Sequence, residues 1–302
     1  MPRIPRMLVT DEAAVYHVMS RTVQPGLPIT DEDKEFFLNQ LQFLTSVYFI
    51  DVISFCIMDN HFHLLVQTTP VNEISDTEVE KRFGIYYKDK FIFSKGEIPH
   101  FKRKWSNLSE FMKELKQKFT RYYNKKNNRK GYFWSDRFKS VIIEKGESVK
   151  NCSAYIDLNP VRAGIVSTPE EYRWSSIGYF AGTGNKKGFL KHDFGIEDEN
   201  LRKEVFEKYR EYVYEVGAIA VSNGYKIDKE KLEKERSKNY KITIRERMIY
   251  RTRYFSEGVF IGSKDFVKRH FSRFREKLKI EKDRNPVKIK GFENIFSLRY
   301  TE

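Results

Sequence analysis

The fold of this chain is decided by the stretch Ser54-Phe55-Cys56-Ile57-Met58-Asp59-Asn60-His61-Phe62-His63-Leu64-Leu65-Val66. Two apolar runs flank a short polar step at Asp59 and Asn60, which is the pattern of two strands joined by a tight turn. Successive side chains of a strand point to opposite faces, so His61 and His63 are expected on the same face. The stretch therefore predicts an antiparallel strand pair that holds two imidazoles side by side.

A second motif, Tyr155-Ile156-Asp157-Leu158-Asn159, lies much further along the chain. Ser148 is placed to cap a helix that runs from about Val149 to Leu158. Residues i and i+4 share one side of a helix, so Tyr155 and Asn159 should point the same way. Together, the two motifs contain the residue types of a tyrosine nucleophile assisted by a metal ion.

The composition predicts a soluble, globular protein. The chain has 302 residues, of which 40% are hydrophobic and 15% aromatic, enough for a catalytic domain of roughly 150 to 200 residues and a smaller part. No apolar run approaches the roughly 20 residues of a membrane span, and the basic start Met1–Arg6 lacks the apolar segment of a secretory signal. Cys56 and Cys152 are expected to be buried thiols. We therefore expect a cytoplasmic protein.

The net charge of +14 is concentrated in two parts of the chain. Residues 101–140 contain thirteen Lys or Arg against three acidic residues, and residues 241–302 contain seventeen against eight. Clustered cations neutralise phosphates, and the aromatic residues among them can stack on bases. Nucleic acid is therefore the expected partner, and the expected location is cytoplasmic and nucleoid-associated. The alternative is a set of lysine-rich helix faces that are simply solvated.

Apolar periodicity predicts seven elements in the order β-α-β-β-α-β-α. They cover residues 15–21, 31–47 behind a Thr30 cap, 50–58, 61–68, 108–124, 137–144 and 149–158. This order is typical of an α+β fold, with an antiparallel sheet and helices packed on one face.

Composition also indicates how the chain is divided. We expect a catalytic domain over residues 1–180 with an insertion at about 71–104, a linker and helical segment over 181–240, and a basic, mainly helical module over 241–302. The glycines between 178 and 188 are typical of a linker. Because the candidate site lies before residue 180, removal of residues 241–302 is expected to weaken nucleic-acid binding and to spare the chemistry.

Four ordered motifs carry a resemblance to a known family. They are Tyr16-His17-Val18-Met19-Ser20-Arg21, Met58-Asp59-Asn60-His61-Phe62-His63-Leu64-Leu65, the run from Gly131 to Lys139, and Tyr155-Ile156-Asp157-Leu158-Asn159-Pro160-Val161-Arg162-Ala163-Gly164 with Tyr172-Arg173-Trp174-Ser175-Ser176 after it. These motifs resemble the single-tyrosine HUH transposases, specifically their REP-associated branch. The resemblance covers most of the first 180 residues. It implies a ferredoxin-like HUH domain that cleaves and rejoins single-stranded DNA at hairpin-associated sites.

By this resemblance, Tyr155 is the nucleophile that forms a 5′-phosphotyrosine link and frees a 3′-OH. His61 and His63 would bind a divalent metal ion, Mg²⁺ or Mn²⁺, and Asn159 would supply a third, polar ligand. A phenol with a pKa of roughly 10 is a poor nucleophile at neutral pH, so polarisation of the phosphate by a cation would help it. Asn159 also precedes Pro160, so the alternative is that it only ends and caps the helix.

Basic residues near the tyrosine helix and the basic helix are candidate phosphate contacts. We predict DNA contacts from Arg121, Lys125, Arg129, Lys130, Arg137, Lys139 and Arg162. Asp59 stands where the family usually has proline, a difference that removes no ligand and can bring a carboxylate near the metal.

Other functions are compatible with parts of the sequence. A domesticated relative would bind folded single-stranded DNA without cleaving it, but His61, His63 and Tyr155 are all intact. A metal phosphodiesterase would use activated water, with Tyr155 as a structural residue. An RNA-binding module would explain the charge but not the histidine and tyrosine motifs. The sequence is compatible with a monomer or a homodimer.

Overall fold

The structure, a computed structural model, describes residues 7–185, 187–191, 202–217, 258–278, 284–288 and 294–299. Their fold is α+β, as predicted, and is built on a seven-stranded mixed sheet. The strands are β1 (Ala14–Arg21), β2 (Ile50–Ile57), β3 (His61–Thr68), β4 (Lys139–Ile143), β5 (Gly258–Gly262), β6 (Val287–Lys288) and β7 (Phe296–Arg299). Their order in the sheet is β2-β3-β1-β4-β5-β7-β6, and β4 and β5 run parallel while the other neighbours are antiparallel.

The seven predicted elements are present, with ends that differ by at most two residues. The helices of the described residues are α1 (Asp31–Thr45), α2 (Asp76–Tyr87), α3 (Ile98–Trp105), α4 (Leu108–Lys126), α5 (Glu147–Asp157), α6 (Asn159–Arg162), α7 (Ser176–Thr183), α8 (Arg202–Gly217) and α9 (Lys264–Leu278). None of these helices is both long enough and apolar enough to cross a lipid bilayer.

Helix α1 begins at the predicted position because Thr30 caps it. The Thr30 side chain accepts a hydrogen bond from the Asp33 backbone N–H, and the Asp33 carboxylate accepts one from the Thr30 N–H, which forms a capping box. Phe37 on the apolar side of α1 packs against Phe62 of β3 and Phe119 of α4, with ring centroids 4.8 and 5.5 Å apart. Helices α1 and α4 thereby cover one face of the sheet.

Helix α5 covers the opposite face. Val15 of β1 and Leu65 of β3 belong to a core cluster with Val149, Cys152 and Ile156 of α5. The structure thus has helices on both faces, whereas the sequence predicted helices on one face. The physical reason is that β1 and β3 carry apolar residues on both of their faces, so both faces of the sheet must be covered.

The predicted hairpin is present. Strands β2 and β3 pair antiparallel, with Ile57 opposite Phe62. The Met58 N–H donates to the His61 carbonyl at 2.8 Å, and this bond closes the turn at Asp59 and Asn60. The register places the His-x-His segment at the very start of β3, at the edge of the core.

Helix α5 starts earlier than predicted. Its N-terminal cap position is Gly146, which has a φ of 90°, in the left-handed region that favours glycine. Ser148 lies buried within the first turn. The prediction that Ser148 caps this helix is therefore wrong, because the glycine makes the turn from β4 and the helix follows at once.

Helix α7 lies where the glycines predicted the start of a linker. A Cβ atom added to Gly178 would lie 2.0 Å from the carbonyl oxygen of Tyr172, so glycine is needed there for close packing. The helix has an N-terminal cap at Ser175 and ends at Gly184, whose φ is 61°. This glycine-rich segment is thus packed structure up to residue 183, and the division of the chain into domains stays a prediction.

The described part of residues 241–302 joins the central sheet. Strand β5 pairs in parallel with β4, and the Glu144 N–H donates to the Ile261 carbonyl at 2.9 Å. Val259, Phe260 and Ile261 are buried, and α9 packs on β5. The sequence predicted a mainly helical region here, whereas the described residues combine one helix with three strands.

The predicted insertion at 71–104 contains α2 and α3. Phe83 of α2 packs on Phe101 of α3, with ring centroids 5.2 Å apart, and Phe101 packs on the fully buried Trp105. The Arg82 guanidinium lies over the Phe49 ring at 4.1 Å. The segment is therefore attached to the core on the α4 side of the sheet.

Candidate active site

The two histidines of the His-x-His segment lie next to each other on the α5 face of the sheet. Their ring centroids are 5.1 Å apart, and Phe62 between them packs into the opposite core. Burial, together with the charge of Arg21, lowers the pKa of His61 to about 4. Burial and the two neighbouring histidines hold the pKa of His63 well below its usual range. Both imidazoles are neutral at pH 7, which is the form that binds metal ions.

A third histidine, His17 of β1, belongs to the same cluster. Its Nε2 atom lies 2.9 Å from Nδ1 of His63, and the two rings stack with centroids 5.1 Å apart. In the β1–β3 register, Met19 lies opposite His63, so His17 is the diagonal neighbour of His63 on the same face. Sequence reasoning missed this role of His17. Strand alternation gives the face on which His17 lies, but it does not reveal that β3 lies beside β1.

The Nδ1 atoms of both candidate ligand histidines are engaged. Nδ1 of His61 lies 2.6 Å from the Asn60 Oδ1 atom, which can only accept, so His61 donates from Nδ1. His63 contacts His17 through its own Nδ1. A neutral imidazole that donates from Nδ1 has its lone pair on Nε2. Nε2 of His61 is therefore a ligand atom, and Nε2 of His63 is one when His63 donates to His17.

Asp59 forms an ion pair with a buried lysine. Its carboxylate pairs with Lys34 at 2.6 Å, and Lys34 has only 4% of its side chain exposed. The same ammonium lies 4.4 Å from the centroid of Trp174. The Asp59 carboxylate is thus held by a buried cation, and the suggestion that it approaches the metal position is not supported by this contact.

Tyr155 of α5 lies against the histidine cluster. Its ring centroid is 5.6 Å from that of His63 and 5.9 Å from that of His17, and both contacts are edge-on. Burial raises the pKa of the phenol, and the neighbouring charge of Arg162 acts against this rise. The fold therefore brings together the two motifs that the sequence singled out and keeps the phenol protonated at neutral pH.

Asn159 is the first residue of α6. Its Nδ2 atom donates to the backbone carbonyls of Tyr155 and Ile156, at 2.9 and 3.3 Å. This side chain therefore caps the end of α5, as the alternative interpretation of Asn159 predicted. The cap uses the amide nitrogen of Asn159, and its Oδ1 atom is the atom that a metal ion would use.

Arg162 lies at the tyrosine. The guanidinium is 5.3 Å from the centroid of the Tyr155 ring, and both terminal nitrogens are buried. Burial lowers the pKa of Arg162 to about 10, against the opposing influence of Tyr155. Arg162 therefore remains charged at neutral pH, next to the candidate nucleophile.

Two further predicted DNA contacts line an open groove. This groove has a volume of about 1040 Å³ and lies between α4 and the segment 132–138, with Arg121 and Arg137 in its lining. Lys113 and Lys116 add positive charge, so that the basic residues of the lining outnumber its acidic residues, Glu110 and Asp136, and Tyr132 is 88% exposed. The groove is basic and aromatic, as a path for a single strand would be.

The remaining predicted DNA contacts lie close in sequence to the residues that line this groove. Lys125 lies in the last turn of α4, Lys130 follows that helix and Lys139 begins β4, and all three are exposed. The Arg129 guanidinium lies over the ring of Tyr123 at 5.8 Å. Thr22 forms a bridge with Trp134 at the end of β1 where Arg21 lies opposite His61, so this segment borders the histidine end of the sheet.

Asp157, two residues after the tyrosine, connects α5 to α7 and α8 by hydrogen bonds. Its fully buried carboxylate accepts hydrogen bonds from the Ser176 hydroxyl at 2.7 Å, the Ile177 N–H at 3.1 Å and the Tyr209 hydroxyl at 2.6 Å. Burial raises the pKa of Asp157 to about 6, and these hydrogen bonds limit the rise. The network fixes α5 to α7 and α8, and with them the position of Tyr155.

Known proteins to which this chain is similar are transposases. One solved structure similar to this chain is that of a REP-associated tyrosine transposase bound to a REP hairpin. The match covers 76% of this chain and 99% of that chain, with 12% sequence identity and a TM-score of 0.43. No curated protein sequence matches the chain. Residues 11–82, from the start of β1 to α2, match the sequence profile of the family described as "Transposase IS200 like". Over these residues the chain is thus similar in sequence to IS200-like transposases, which supports the resemblance that its motifs indicated.

Proposed function

We propose that the protein is a metal-dependent DNA strand transferase in which Tyr155 is the nucleophile. The contact that carries this proposal is the edge-on approach of Tyr155 to His63, at 5.6 Å between ring centroids. The family match covers the histidines but ends before the tyrosine. The approach of Tyr155 to this histidine pair is therefore an observation independent of that match.

Two neutral imidazoles and an amide oxygen are ligand types that a divalent metal ion accepts. His61 and His63 are neutral, and Nε2 is the ligand atom of a histidine whose Nδ1 donates to a neighbour. Within the described ranges, no group of three or more His, Cys, Asp or Glu side chains is arranged to hold a metal ion. We propose that His61, His63 and the Oδ1 atom of Asn159 hold Mg²⁺ or Mn²⁺, which would polarise a phosphate.

The proposed reaction exchanges one phosphate ester for another. The phenol oxygen of Tyr155 attacks a phosphorus atom of single-stranded DNA, and a new oxygen–phosphorus bond forms. The bond from phosphorus to the 3′-oxygen of the preceding nucleotide breaks. The phenol proton passes to water, and the departing oxygen takes up a proton to become a 3′-OH. The DNA remains linked to Tyr155 through its 5′-phosphate, and attack by another 3′-OH rejoins it.

We propose that the substrate is single-stranded DNA next to a hairpin. The groove between α4 and residues 132–138 supports a single strand as ligand, because it combines the cations Arg121 and Arg137 with the exposed ring of Tyr132. The segment 132–138 borders the histidine end of the sheet. A strand in the groove would therefore pass around this end of the sheet to reach Tyr155, which lies on the opposite face.

The test is incubation with labelled hairpin oligonucleotides and Mn²⁺, followed by denaturing electrophoresis. A protease-sensitive adduct that is absent in Tyr155→Phe and His61→Ala would support the proposal. Tyr179→Phe is a matched control, because Tyr179 is also a helical tyrosine but packs on Phe55, on the other face of the sheet. Cleavage without an adduct would indicate a phosphodiesterase, and binding without cleavage would indicate a domesticated DNA-binding protein.

A further inference from the structure

The guanidinium of Arg162 is buried without a hydrogen-bond or ion-pair partner in the described part of the chain. Both of its terminal nitrogens are inaccessible to solvent and make no hydrogen bond there. Other charges in the protein are treated differently. Lys34 is a buried residue, and it pairs with Asp59 at 2.6 Å. Arg162 is therefore an exception that requires a physical explanation.

The guanidinium lies over the ring of Tyr155, 5.3 Å from the ring centroid. A cation–π contact recovers part of the free energy lost when a charge leaves water, but it does not satisfy the five N–H donors of a guanidinium. The lowered pKa, about 10, expresses the same imbalance. The group is nevertheless charged at neutral pH, so the site presents an unbalanced positive charge.

Arg162 and Tyr155 belong to one nearly continuous helical unit. Helix α5 ends at Asp157, Leu158 keeps right-handed helical backbone angles, and α6 runs from Asn159 to Arg162. Residues i and i+7 are two turns apart on the same side of a helix. The distance between guanidinium and phenol is therefore set by local backbone geometry and does not depend on a mobile loop.

We propose that Arg162 is the anion-binding residue of the tyrosine site and that its ligand is the phosphodiester group on which Tyr155 acts. This inference rests on the proposed function. A guanidinium donates two parallel N–H bonds to two oxygens of one phosphate, and it keeps its charge in a buried site where lysine would lose it more easily. To do so, the Arg162 side chain would turn its terminal nitrogens out of their buried position. It would hold the phosphate before attack, and it would hold the same group after linkage, because the phosphotyrosine diester keeps one negative charge.

The first test measures anion binding without DNA chemistry. Thermal unfolding is followed in buffers of constant ionic strength, in which inorganic phosphate replaces chloride, for the wild type, Tyr155→Phe, Arg162→Met and Arg173→Met. Arg173 is the matched control, because it is 65% exposed and pairs with Glu35 on the surface. Phosphate should raise the unfolding temperature of the wild type, Tyr155→Phe and Arg173→Met, and it should leave Arg162→Met unchanged.

The same experiment tests the unpartnered state of Arg162. In buffer without phosphate, Arg162→Met should unfold at the same temperature as the wild type or a higher one, since methionine fills the space without a buried charge. A decrease of several degrees would show that Arg162 has a structural partner and would overturn the proposal. Equal stabilisation of Arg162→Met and wild type by phosphate would overturn it as well.

The second test measures the covalent step. In single-turnover reactions with saturating oligonucleotide and Mn²⁺, Arg162→Met should form the Tyr155–DNA adduct about 10² to 10³ times more slowly than wild type, and Arg162→Lys should retain part of the rate. An unchanged rate in Arg162→Met would overturn the role of Arg162 and leave the tyrosine mechanism intact. Absence of any adduct in the wild type, with phosphate stabilisation that still requires Arg162, would reject the proposed function and support the anion site.

Discussion

At the level of single residues, the tautomer of His63 is coupled to that of His17 through a hydrogen bond. The two rings share one hydrogen bond, between Nε2 of His17 and Nδ1 of His63. If His63 donates, its Nε2 atom is the lone-pair nitrogen that a metal ion requires. If His17 donates instead, Nε2 of His63 carries a proton and is no ligand. The acceptor role of His17 is thus a condition for the proposed metal site.

Replacement of His17 should therefore weaken metal binding in a way that depends on hydrogen-bond chemistry. His17→Leu is expected to reduce Mn²⁺ affinity about 10- to 100-fold, which is the usual effect of losing a group that orients a ligand. His17→Gln keeps a carbonyl acceptor and should retain most of the affinity. Calorimetric titration with Mn²⁺ measures both, and unfolding temperatures confirm that each variant is folded. Equal affinities for His17→Leu and wild type would contradict this role.

At the level of elements, α5 is held by the buried carboxylate of Asp157. The hydroxyls of Ser176 and Tyr209 and the N–H of Ile177 all donate to it. Asp157→Ala leaves these buried donors without an acceptor and should reduce the free energy of unfolding by about 2–4 kcal/mol. Tyr209→Phe removes one donor and should reduce it by about 1 kcal/mol. Urea unfolding measures both, and similar values for the two variants would contradict the assignment.

Two glycines of α7 provide a second test at this level. A Cβ at Gly178 would meet the Tyr172 carbonyl at 2.0 Å, whereas a Cβ at Gly182 would meet nothing within 4 Å. Gly178→Ala should destabilise the protein by at least about 2 kcal/mol, because backbone must move. Gly182→Ala should stabilise it by about 0.5–1 kcal/mol through helix propensity. Thermal unfolding of the pair measures the difference, and equal effects would show that α7 does not pack closely on Tyr172.

At the level of the whole molecule, the sequence predicts what is local and misses what depends on distant neighbours. Some features depend only on residues close together in the sequence, and the structure contains each of them: the Thr30 cap, the apolar period of α1 and the strand alternation around His61. The placement of α5 on the second face and of β5 beside β4 depends on contacts between distant parts of the chain. The site divides in the same way. Motifs indicated His61, His63 and Tyr155, but the roles of His17 and the buried Arg162 follow from tertiary contacts.

The position of β5 also changes the expected effect of a deletion. Strand β5 lies between β4 and β7 in the sheet, so a chain ending at residue 240 would lose β5, β6, β7 and α9 and expose β4 as an edge. Ile261 packs in the same core cluster as Val149 and Cys152 of α5. The structure therefore predicts that this deletion lowers stability and disturbs the tyrosine helix, in contrast to the sequence-based expectation that the chemistry is spared.

Two point variants separate the structural role of this region from its charge. Phe260 is fully buried, so Phe260→Ala should reduce the free energy of unfolding by about 3–5 kcal/mol. Lys268 is exposed on α9, so Lys268→Gln should change stability by less than about 0.5 kcal/mol. Urea unfolding measures the free energy of unfolding of both variants. A thermal unfolding experiment on residues 1–240 tests the deletion. If the shortened chain unfolded at the wild-type temperature, residues 241–302 would be a separate module. A lower temperature, together with loss of stability in Phe260→Ala, would show that they complete the sheet on which the tyrosine helix rests.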